Sequence, residues 1–384
     1  MKSGELLREL YHCLHCHLCN FADWHALDEW LPLCPTYAYF GFESFSASGK
    51  MELARALLSG ELKPSPRTLQ ILFSDLGCGA CHQQCRGLTG LKVEHVELFE
   101  ELKARLVERG YGPLPEQRAY AESVRKNHNP YRERHEERTS WLERELPERA
   151  ETVYFVGCTS SYRQREIARS TAEVLLRSGV EFTVLEDEWC CGSPLLRTGQ
   201  RKLAREVAEH NLEALRRAGA RRVVFSCAGC YRTFSRDYPR LLGREPGLEL
   251  LHTSQYFLRI LSGRGLRGNG GRVTYHDPCH LGRGMGVYDP PRELLRRMYG
   301  EGFVEMRRSR ENSWCCGAGS GVKAAFPDFA LWSAARRLEE AEGVEAEALV
   351  STCPFCKRNL EDASRKRGGM EVRDLSELLE GALT

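Results

Sequence analysis

Hydrophobic and polar residues recur along this chain with different periods, which divide it into blocks. Up to about residue 115, leucines and alanines stand at helical spacing among charged residues, as in 51–62 and 95–109, so this block is predicted to be mainly helical. Residues 116–150 are rich in Arg, Glu, Asn and His. They are predicted to form a connector, part helical and draped over the surface.

The rest of the chain predicts two successions of short apolar strands and amphipathic helices. In the first, 151–262, strands are predicted at 152–156, 182–185 and 222–225, and helices at 165–177 and 202–218. In the second, 263–384, strands are predicted at 272–275 and 348–351, and helices at 292–298 and 326–341. Strands alternating with helices of this length favour parallel sheets with right-handed crossovers. Such sheets gather ligands at the carboxyl ends of their strands.

Cysteines follow these strands in the same order in both halves. The two sets are Cys158, Cys190, Cys191, Cys227 and Cys230, then Cys279, Cys315, Cys316, Cys353 and Cys356. The long gaps hold 31 and 35 residues in the first set and 35 and 36 in the second, and matching cysteines lie 121 to 126 residues apart. A tandem duplication is the simplest explanation. Two like halves packed about a pseudo-twofold axis would place both cysteine-bearing edges near each other.

Five thiolates around one site favour iron-sulfur or other thiophilic metal chemistry. A four-iron cubane or a tetrahedral zinc ion uses four, so either one thiol of each set stays free or the cluster is not a cubane. The adjacent cysteines of a regular strand would point to opposite faces, so each pair needs a turn. Gly192 and Gly317 supply that freedom, and a helix beginning after each glycine would favour thiolates there.

The N-terminal block carries the other seven cysteines. Cysteines two residues apart wrap a loop around one cluster, and a remote Cys-Pro completes the other, which predicts crossed ligation. The first cubane site would comprise Cys13, Cys16, Cys19 and Cys85, and the second Cys34, Cys78 and Cys81. Asp75 stands three residues before Cys78, where a fourth cysteine would be expected. It is either an iron ligand, the cause of a labile iron or a three-iron cluster, or an ordinary surface or capping residue. A pair of zinc sites is disfavoured by the spacing.

Near the second set lie His276, His280 and Arg283, which are predicted to be catalytic residues. A histidine here either donates a proton to a leaving thiolate, tunes a cluster through a hydrogen bond to sulfur, or has a structural role. Arg283, with Arg197 and Lys323, either steers an anionic substrate or forms a salt bridge.

Composition excludes several classes of protein. The 384 residues carry a formal net charge of +2, which gives no electrostatic reason to expect nucleic-acid binding. We expect neither a signal peptide nor a membrane span, since no apolar run reaches about 18 residues. Seventeen cysteines without a secretion signal favour metal ligands over disulfides. A cytoplasmic protein is expected, with any membrane attachment made through a partner subunit.

These motifs, with Asn129-Pro130-Tyr131 and Trp141, resemble the catalytic D subunit of heterodisulfide reductases over nearly the whole chain. The resemblance implies an α+β multidomain fold, in which a helical ferredoxin-like domain with two cubane clusters precedes two Rossmann-like CCG domains. It implies that each five-cysteine set binds a noncubane four-iron cluster and that a disulfide is cleaved there, in two one-electron steps. The electrons would come from a partner subunit, which would be a cytochrome, a flavoprotein or a ferredoxin. Asp75 departs from the family pattern.

Two alternatives belong to other classes. CCG domains also occur, by resemblance, in iron-sulfur subunits that relay electrons in glycolate or lactate oxidation and in thiol-dependent fumarate reduction. The glycine-rich stretch 263–271 precedes a strand instead of following one, so it is predicted to be a loop between the halves and not a dinucleotide-binding motif. A zinc scaffold without a redox role is disfavoured, because two sets of five cysteines exceed what tetrahedral zinc requires.

Overall fold

The computed structural model describes residues 3–23 and 27–383. The N-terminal block is helical, and many of its apolar residues form a core that includes Leu6, Met51, Leu72 and Leu102. Its described helices are α1 (Ser3–Leu10), α2 (Pro35–Phe40), α3 (Ala47–Ser59), α4 (Pro66–Phe73), α5 (Ala80–Thr89) and α6 (His95–Glu108). The helices predicted at 51–62 and 95–109 correspond to α3 and α6. No helix in the described residues combines the length and the apolar character needed to cross a membrane.

The connector is anchored instead of draped over the surface. It forms α7 (Pro115–Asn127) and a 3-10 turn at His135–Thr139. Trp141 is 1% exposed and packs edge-on against Tyr154, with ring centroids 6.4 Å apart. The buried Asn129 amide donates to the carbonyl oxygens of Asn127 at 2.8 Å and Glu133 at 2.9 Å. The abundant charges of this segment concealed the few residues that fasten it.

The first α/β unit has a three-stranded parallel sheet in the order β1-β2-β3. Its strands are β1 (Thr152–Phe155), β2 (Arg222–Phe225) and β3 (Glu249–His252). Its α-helices are α8 (Cys158–Tyr162), α9 (Arg165–Arg177), α10 (Ser193–Arg197), α11 (Arg201–Arg217), α12 (Ala228–Arg232), α13 (Tyr238–Leu242) and α14 (Thr253–Ile260). A π-helical turn, Thr233–Asp237, links α12 to α13.

The strand predicted at 182–185 is wrong, because only Thr183 pairs with β1, through one parallel bridge to Val153. A longer strand would engage the N–H of Val156, the residue directly after β1. The Glu188 carboxylate takes that N–H instead, at 2.8 Å, together with the N–H of Gly157 at 2.9 Å. The chain therefore leaves the sheet early and carries Glu188 into the loop that follows β1.

The second α/β unit repeats this arrangement with four parallel strands in the order β5-β4-β6-β7. These strands are β4 (Val273–Tyr275), β5 (Phe303–Val304), β6 (Ala348–Ser351) and β7 (Glu371–Asp374). Its α-helices are α15 (Gly282–Met285), α16 (Asp289–Tyr299), α17 (Val322–Ala325), α18 (Pro327–Gly343), α19 (Pro354–Arg367) and α20 (Leu375–Ala382).

The two units share their hydrophobic cores. One core joins Phe155 and Phe225 of the first unit to Leu349 and Leu360 of the second, and another joins Tyr154 to Tyr275. A buried hydrogen bond also crosses between the units, because His252 Nε2 donates to the Thr352 carbonyl at 3.0 Å. The carboxyl ends of the inner strands are thereby brought towards a common region.

Substitution of Gly199 tests how closely the N-terminal block and the first α/β unit approach each other. Its φ is +80°, and an added Cβ would lie 2.7 Å from the Lys103 carbonyl group of α6. We expect Gly199→Ala to cost about 1–3 kcal/mol in backbone strain and roughly as much again in overpacking. Gly179→Ala is the matched control, since Gly179 has φ +73° and open space around it. The thermal midpoint should fall further for Gly199→Ala, and equal midpoints would contradict this close approach.

Candidate metal centres

All ten cysteines of the duplicated motif line one cavity of about 490 Å³ between the two α/β units. They arrive there on short turns: Cys158 and Cys279 follow β1 and β4, while Cys227 and Cys353 follow β2 and β6. The first strand of each unit, β1 or β4, also supports the Cys-x-x-Cys turn that follows the neighbouring strand, β2 or β6. The hydroxyl of Tyr154 hydrogen-bonds Ser226 at 2.9 Å, and that of Tyr275 bonds Thr352 at 2.7 Å, so each tyrosine holds the residue that precedes a Cys-x-x-Cys turn.

The ten thiols form one continuous series of neighbouring sulfurs, in which the Cys316 thiol donates to Cys356 Sγ at 3.3 Å. In the first unit the order is Cys158, Cys190, Cys191, Cys230, Cys227. In the second unit it is Cys353, Cys356, Cys316, Cys315, Cys279. Cys227 and Cys353, the matching first cysteines of the two Cys-x-x-Cys turns, contact each other across the boundary. The two sets therefore meet at equivalent positions.

Each adjacent cysteine pair turns into the cavity at the glycine that follows it. Gly192 has φ +81° and a Cβ there would lie 3.0 Å from Val207, whereas Gly317 has φ +85° and a Cβ would lie 2.6 Å from that of Ser333. A helix begins directly after Gly192. After Gly317 the next helix, α17, begins only at Val322. The shared requirement is the close approach of a long helix, α11 or α18.

The way in which the thiols share protons indicates what kind of metal group these ten sulfur ligands can hold. Hydrogen bonds from Cys190 and Cys230 lower the pKa of Cys191 to about 5. Hydrogen bonds to the thiols of Cys191 and Cys227, with burial, raise the pKa of Cys230 well above its ordinary value. Because neighbouring thiolates repel one another in a buried site, some of the sulfurs keep protons that a thiophilic metal would displace. This crowded all-sulfur set fits a metal cluster.

Two predicted histidines adjoin this cavity. His276 Nδ1 accepts from Arg337 Nε at 3.3 Å, and a ligand atom of its ring lies within 4.8 Å of the sulfurs of Cys316 and Cys356. His280 lines the cavity, and its buried Nε2 has no hydrogen-bond partner within 3–23 and 27–383. Burial, with Arg232 and Arg197 nearby, lowers the pKa of His280 to about 3. Its imidazole is therefore neutral.

The predicted basic residues have other partners. Arg283 is not in the cavity lining; it donates to the carbonyl oxygens of Cys78 at 2.8 Å and Ser313 at 2.7 Å. These hydrogen bonds hold two cysteine loops together, and the steering of an anionic substrate by Arg283 stays a prediction. Arg197 is paired with Glu100 and Asp237, and Lys323 with Asp362. These two residues line the cavity as members of salt bridges.

Arg138 is a site residue that sequence reasoning missed. Its buried guanidinium donates to Cys158 Sγ at 3.3 Å and pairs with the fully buried Glu188. Glu188 in turn accepts the Gly157 N–H, so one ion pair fixes the loop before Cys158. Nothing in the charged connector distinguished Arg138 from its neighbours in the sequence.

The N-terminal cysteines occupy two smaller cavities, grouped as the crossed pattern predicts. The first is lined by Cys13, Cys16, Cys19 and Cys85, and the second by Cys34, Cys78, Cys81 and Asp75. Both loops use left-handed backbone, with φ of +51° at His15, +62° at His17 and +70° at Gly79. Such turns let closely spaced cysteines face one point. Cys16 is exposed, while Cys19 and Cys34 are buried.

The second N-terminal group also contacts Cys315, which lines the large cavity. A hydrogen bond from Cys315 lowers the pKa of Cys78 to about 6 despite burial, and Arg283 acts in the same direction. Gly77 lies against Ser320 in the second unit, where an added Cβ would be 2.5 Å from the hydroxyl oxygen. The N-terminal block therefore meets the cysteine series at Cys315.

Comparisons with known proteins agree with the duplication. The family model of a cysteine-rich domain, CCG, matches residues 152–235 and 273–361. The chain is 39% identical to the D subunit of the dihydromethanophenazine:CoB–CoM heterodisulfide reductase of Methanosarcina barkeri, over 98% of this chain and 95% of that protein. It is 36% identical to the B subunit of the fumarate reductase (CoM/CoB) of Methanothermobacter marburgensis, over 60% of this chain and 46% of that protein.

A solved structure supports the fold alone. It is a hypothetical protein from Helicobacter pylori, which superposes with a TM-score of 0.57 at 9% identity and covers 88% of this chain and 68% of that chain.

The Arg138–Glu188 pair generates a stability prediction. Arg138→Gln would leave a buried carboxylate without its cation, which typically costs about 3–5 kcal/mol. The matched control is Arg134→Gln, because Arg134 forms an exposed pair with Glu137 next to the same 3-10 turn, where the loss should stay under about 1 kcal/mol. Thermal midpoints of the two variants check this. A midpoint for Arg138→Gln as high as the control's would contradict the structural importance of the buried pair.

Proposed function

The chain belongs to the family of heterodisulfide reductase D subunits, and on that basis we propose that it is an iron-sulfur oxidoreductase that cleaves a disulfide between its two cysteine-rich units. The observation that carries the proposal is the single cavity lined by all ten cysteines. A disulfide has two sulfur ends, and the two sets of thiols meet at Cys227 and Cys353. A site with two like halves suits a substrate that breaks into two thiols.

We propose that each five-cysteine set holds one noncubane four-iron cluster. The first set is Cys158, Cys190, Cys191, Cys227 and Cys230, and the second is Cys279, Cys315, Cys316, Cys353 and Cys356. When bound, these clusters would supply, one at a time, the two electrons that reduce the disulfide. The contact of equivalent cysteines supports a pseudo-twofold relation between the units, because an axis through that contact places matching residues opposite each other.

The N-terminal block is proposed to be a ferredoxin-like domain with two cluster sites. The first comprises Cys13, Cys16, Cys19 and Cys85, and the second includes Cys34, Cys78 and Cys81. Exposed Cys16 marks the site that a donor protein can approach, and Cys78 adjoins Cys315. This order supports entry of electrons into the cavity through the second α/β unit.

The cavity residues are proposed to manage protons and water. Reduction of a disulfide to two thiols consumes two electrons and two protons. Since His280 is neutral and its Nε2 is free of partners in the described part of the chain, it is suited to hydrogen-bond a departing sulfur while the protons enter from solvent. His276 is suited to hydrogen-bond Cys316, because Arg337 occupies its other nitrogen. Both roles stabilise negative charge on sulfur.

The function is tested with the full chain, purified without oxygen and reduced by a viologen dye. Thiol release from small-molecule disulfides should accompany dye oxidation. Cys353→Ser should lower turnover by roughly a hundredfold or more, since it removes a sulfur where the two sets meet. Ala119→Ser changes the cavity lining without touching a cysteine and should retain turnover.

A second function is favoured by the presence of a fumarate reductase component among the relatives. In that case the chain relays electrons to or from another catalytic subunit. Rapid electron acceptance from the dye with no turnover of any disulfide would favour this relay and overturn the proposed reductase. Near-stoichiometric zinc with little iron would overturn both.

The exposed edge of the first N-terminal site generates a prediction about the electron donor. Tyr11 and Leu14 are 64% and 66% exposed beside exposed Cys16. A charge at this apolar edge should weaken docking, so Leu14→Glu should raise the KM for a protein electron donor about tenfold, as expected for a central contact. Activity with the small dye should stay unchanged.

The control is Tyr111→Glu, since Tyr111 is also exposed (44%). His95, at the start of α6, lines the first N-terminal cavity, whereas Tyr111 follows the other end of that helix. Equal effects of the two substitutions would mean that electrons enter elsewhere.

A further inference from the structure

The second N-terminal site combines three cysteines with one aspartate. Its cavity is lined by Cys34, Cys78, Cys81 and Asp75, together with Lys50. The sequence leaves three options for Asp75: a ligand, an ordinary carboxylate, or the reason why the site holds fewer irons. The hydrogen bonds around the carboxylate distinguish among them.

Both oxygens of Asp75 are already engaged. Oδ2 accepts from Lys50 Nζ at 2.6 Å, and Oδ1 accepts from the N–H of Gly77 at 2.9 Å. Lys50 is 1% exposed, so its ammonium has little access to water. Moving the carboxylate onto iron would leave that ammonium buried without its counterion, which is a costly arrangement.

The surroundings hold Lys50 in place. Its ammonium also reaches Thr36 Oγ1 at 3.4 Å and lies 5.8 Å from the centre of the Phe99 ring. The Cys34 thiol donates to the same Thr36 oxygen at 3.8 Å. Lys50 therefore lies between the carboxylate and one of the three thiols, and it can attract both.

A second buried lysine makes the site electropositive. Lys103 is 1% exposed, and its ammonium reaches the Asp75 carbonyl oxygen at 3.5 Å. A second buried ammonium group thus lies beside Asp75, where it contacts the backbone carbonyl and not the carboxylate. The uncompensated positive charge suits an anionic metal cluster held by thiolates, and it favours the more negative, reduced form of that cluster.

We infer that Lys50 withholds Asp75 from the metal, so that Cys34, Cys78 and Cys81 are, among residues 3–23 and 27–383, the protein ligands of this site and it holds a three-iron cluster. The inference rests on the proposed function, because it assumes that the N-terminal sites hold iron-sulfur clusters. A cubane needs a fourth ligand for its fourth iron, and the fold has committed the nearest carboxylate elsewhere. The aspartate acts as the counterion of Lys50.

The test uses the full chain with its clusters bound. The clusters are oxidised under conditions in which the protein is not lost. Iron and sulfide are counted and the paramagnetic resonance spectrum is recorded. The natural sequence should show the signal of an oxidised three-iron cluster. Asp75→Cys should abolish that signal and add iron, because it supplies the missing thiolate. Asp75→Asn should keep the signal, since the carboxylate is not a ligand.

Two lysine variants test the withholding itself. Lys50→Met releases the carboxylate and should reduce the three-iron signal, with a gain of iron. Lys103→Met is the matched control, because it removes a buried ammonium but leaves the Lys50–Asp75 pair, so the three-iron signal should persist. Retention of the other cluster signals shows that a variant has folded.

The opposite pattern would overturn the inference. If the natural sequence lacks a three-iron signal and Asp75→Asn creates one, then Asp75 is an iron ligand. If the three-iron signal is present but disulfide turnover is absent, the inference stands and the reductase function fails. Zinc without iron would remove the premise of both.

Discussion

Contact among ten buried thiols is the interaction on which the rest of the structure depends. Each thiolate in the series raises the free energy of its neighbours, so the arrangement requires either shared protons or bound cations. The fold enforces the contact in two ways. Parallel strands deliver Cys158, Cys227, Cys279 and Cys353 at their carboxyl ends, and the close approach of α11 and α18 excludes any side chain at the glycines after the paired cysteines.

Buried ion pairs hold the loops that carry these thiols, and they differ between the two units. In the first unit Arg138 joins Glu188 to Cys158. In the second, Arg292 bonds Asp277 through both Nη atoms, at 2.7 and 2.8 Å. Tyr154 and Tyr275 each stand four residues before the first cysteine of their set, so Phe155 corresponds to His276. The ligands are duplicated, but their hydrogen-bonding surroundings are not.

Much of the site could be predicted from the sequence, because cysteine spacing and apolar strands are local signals. Strand 222–225 and helix 165–177 have the predicted bounds, and the crossed grouping of the N-terminal cysteines is the one found. The edge strands β3 and β7 were missed because exposed Glu249 and Glu371 begin them and neither has a continuous apolar run. Arg138 and Lys50 were missed for another reason: their roles depend on partners 50 and 25 residues away, Glu188 and Asp75, and spacing carries no such information.

The two cysteine sets have unlike surroundings. The second set adjoins the N-terminal block through Cys315 and Cys78, and Arg283 binds the backbone on both sides of that contact. The second set also has a histidine beside its paired cysteines, whereas the first has an arginine at Cys158. A hydrogen bond to sulfur and a buried cation stabilise negative charge to different extents. Two clusters with the same ligands would therefore differ in reduction potential.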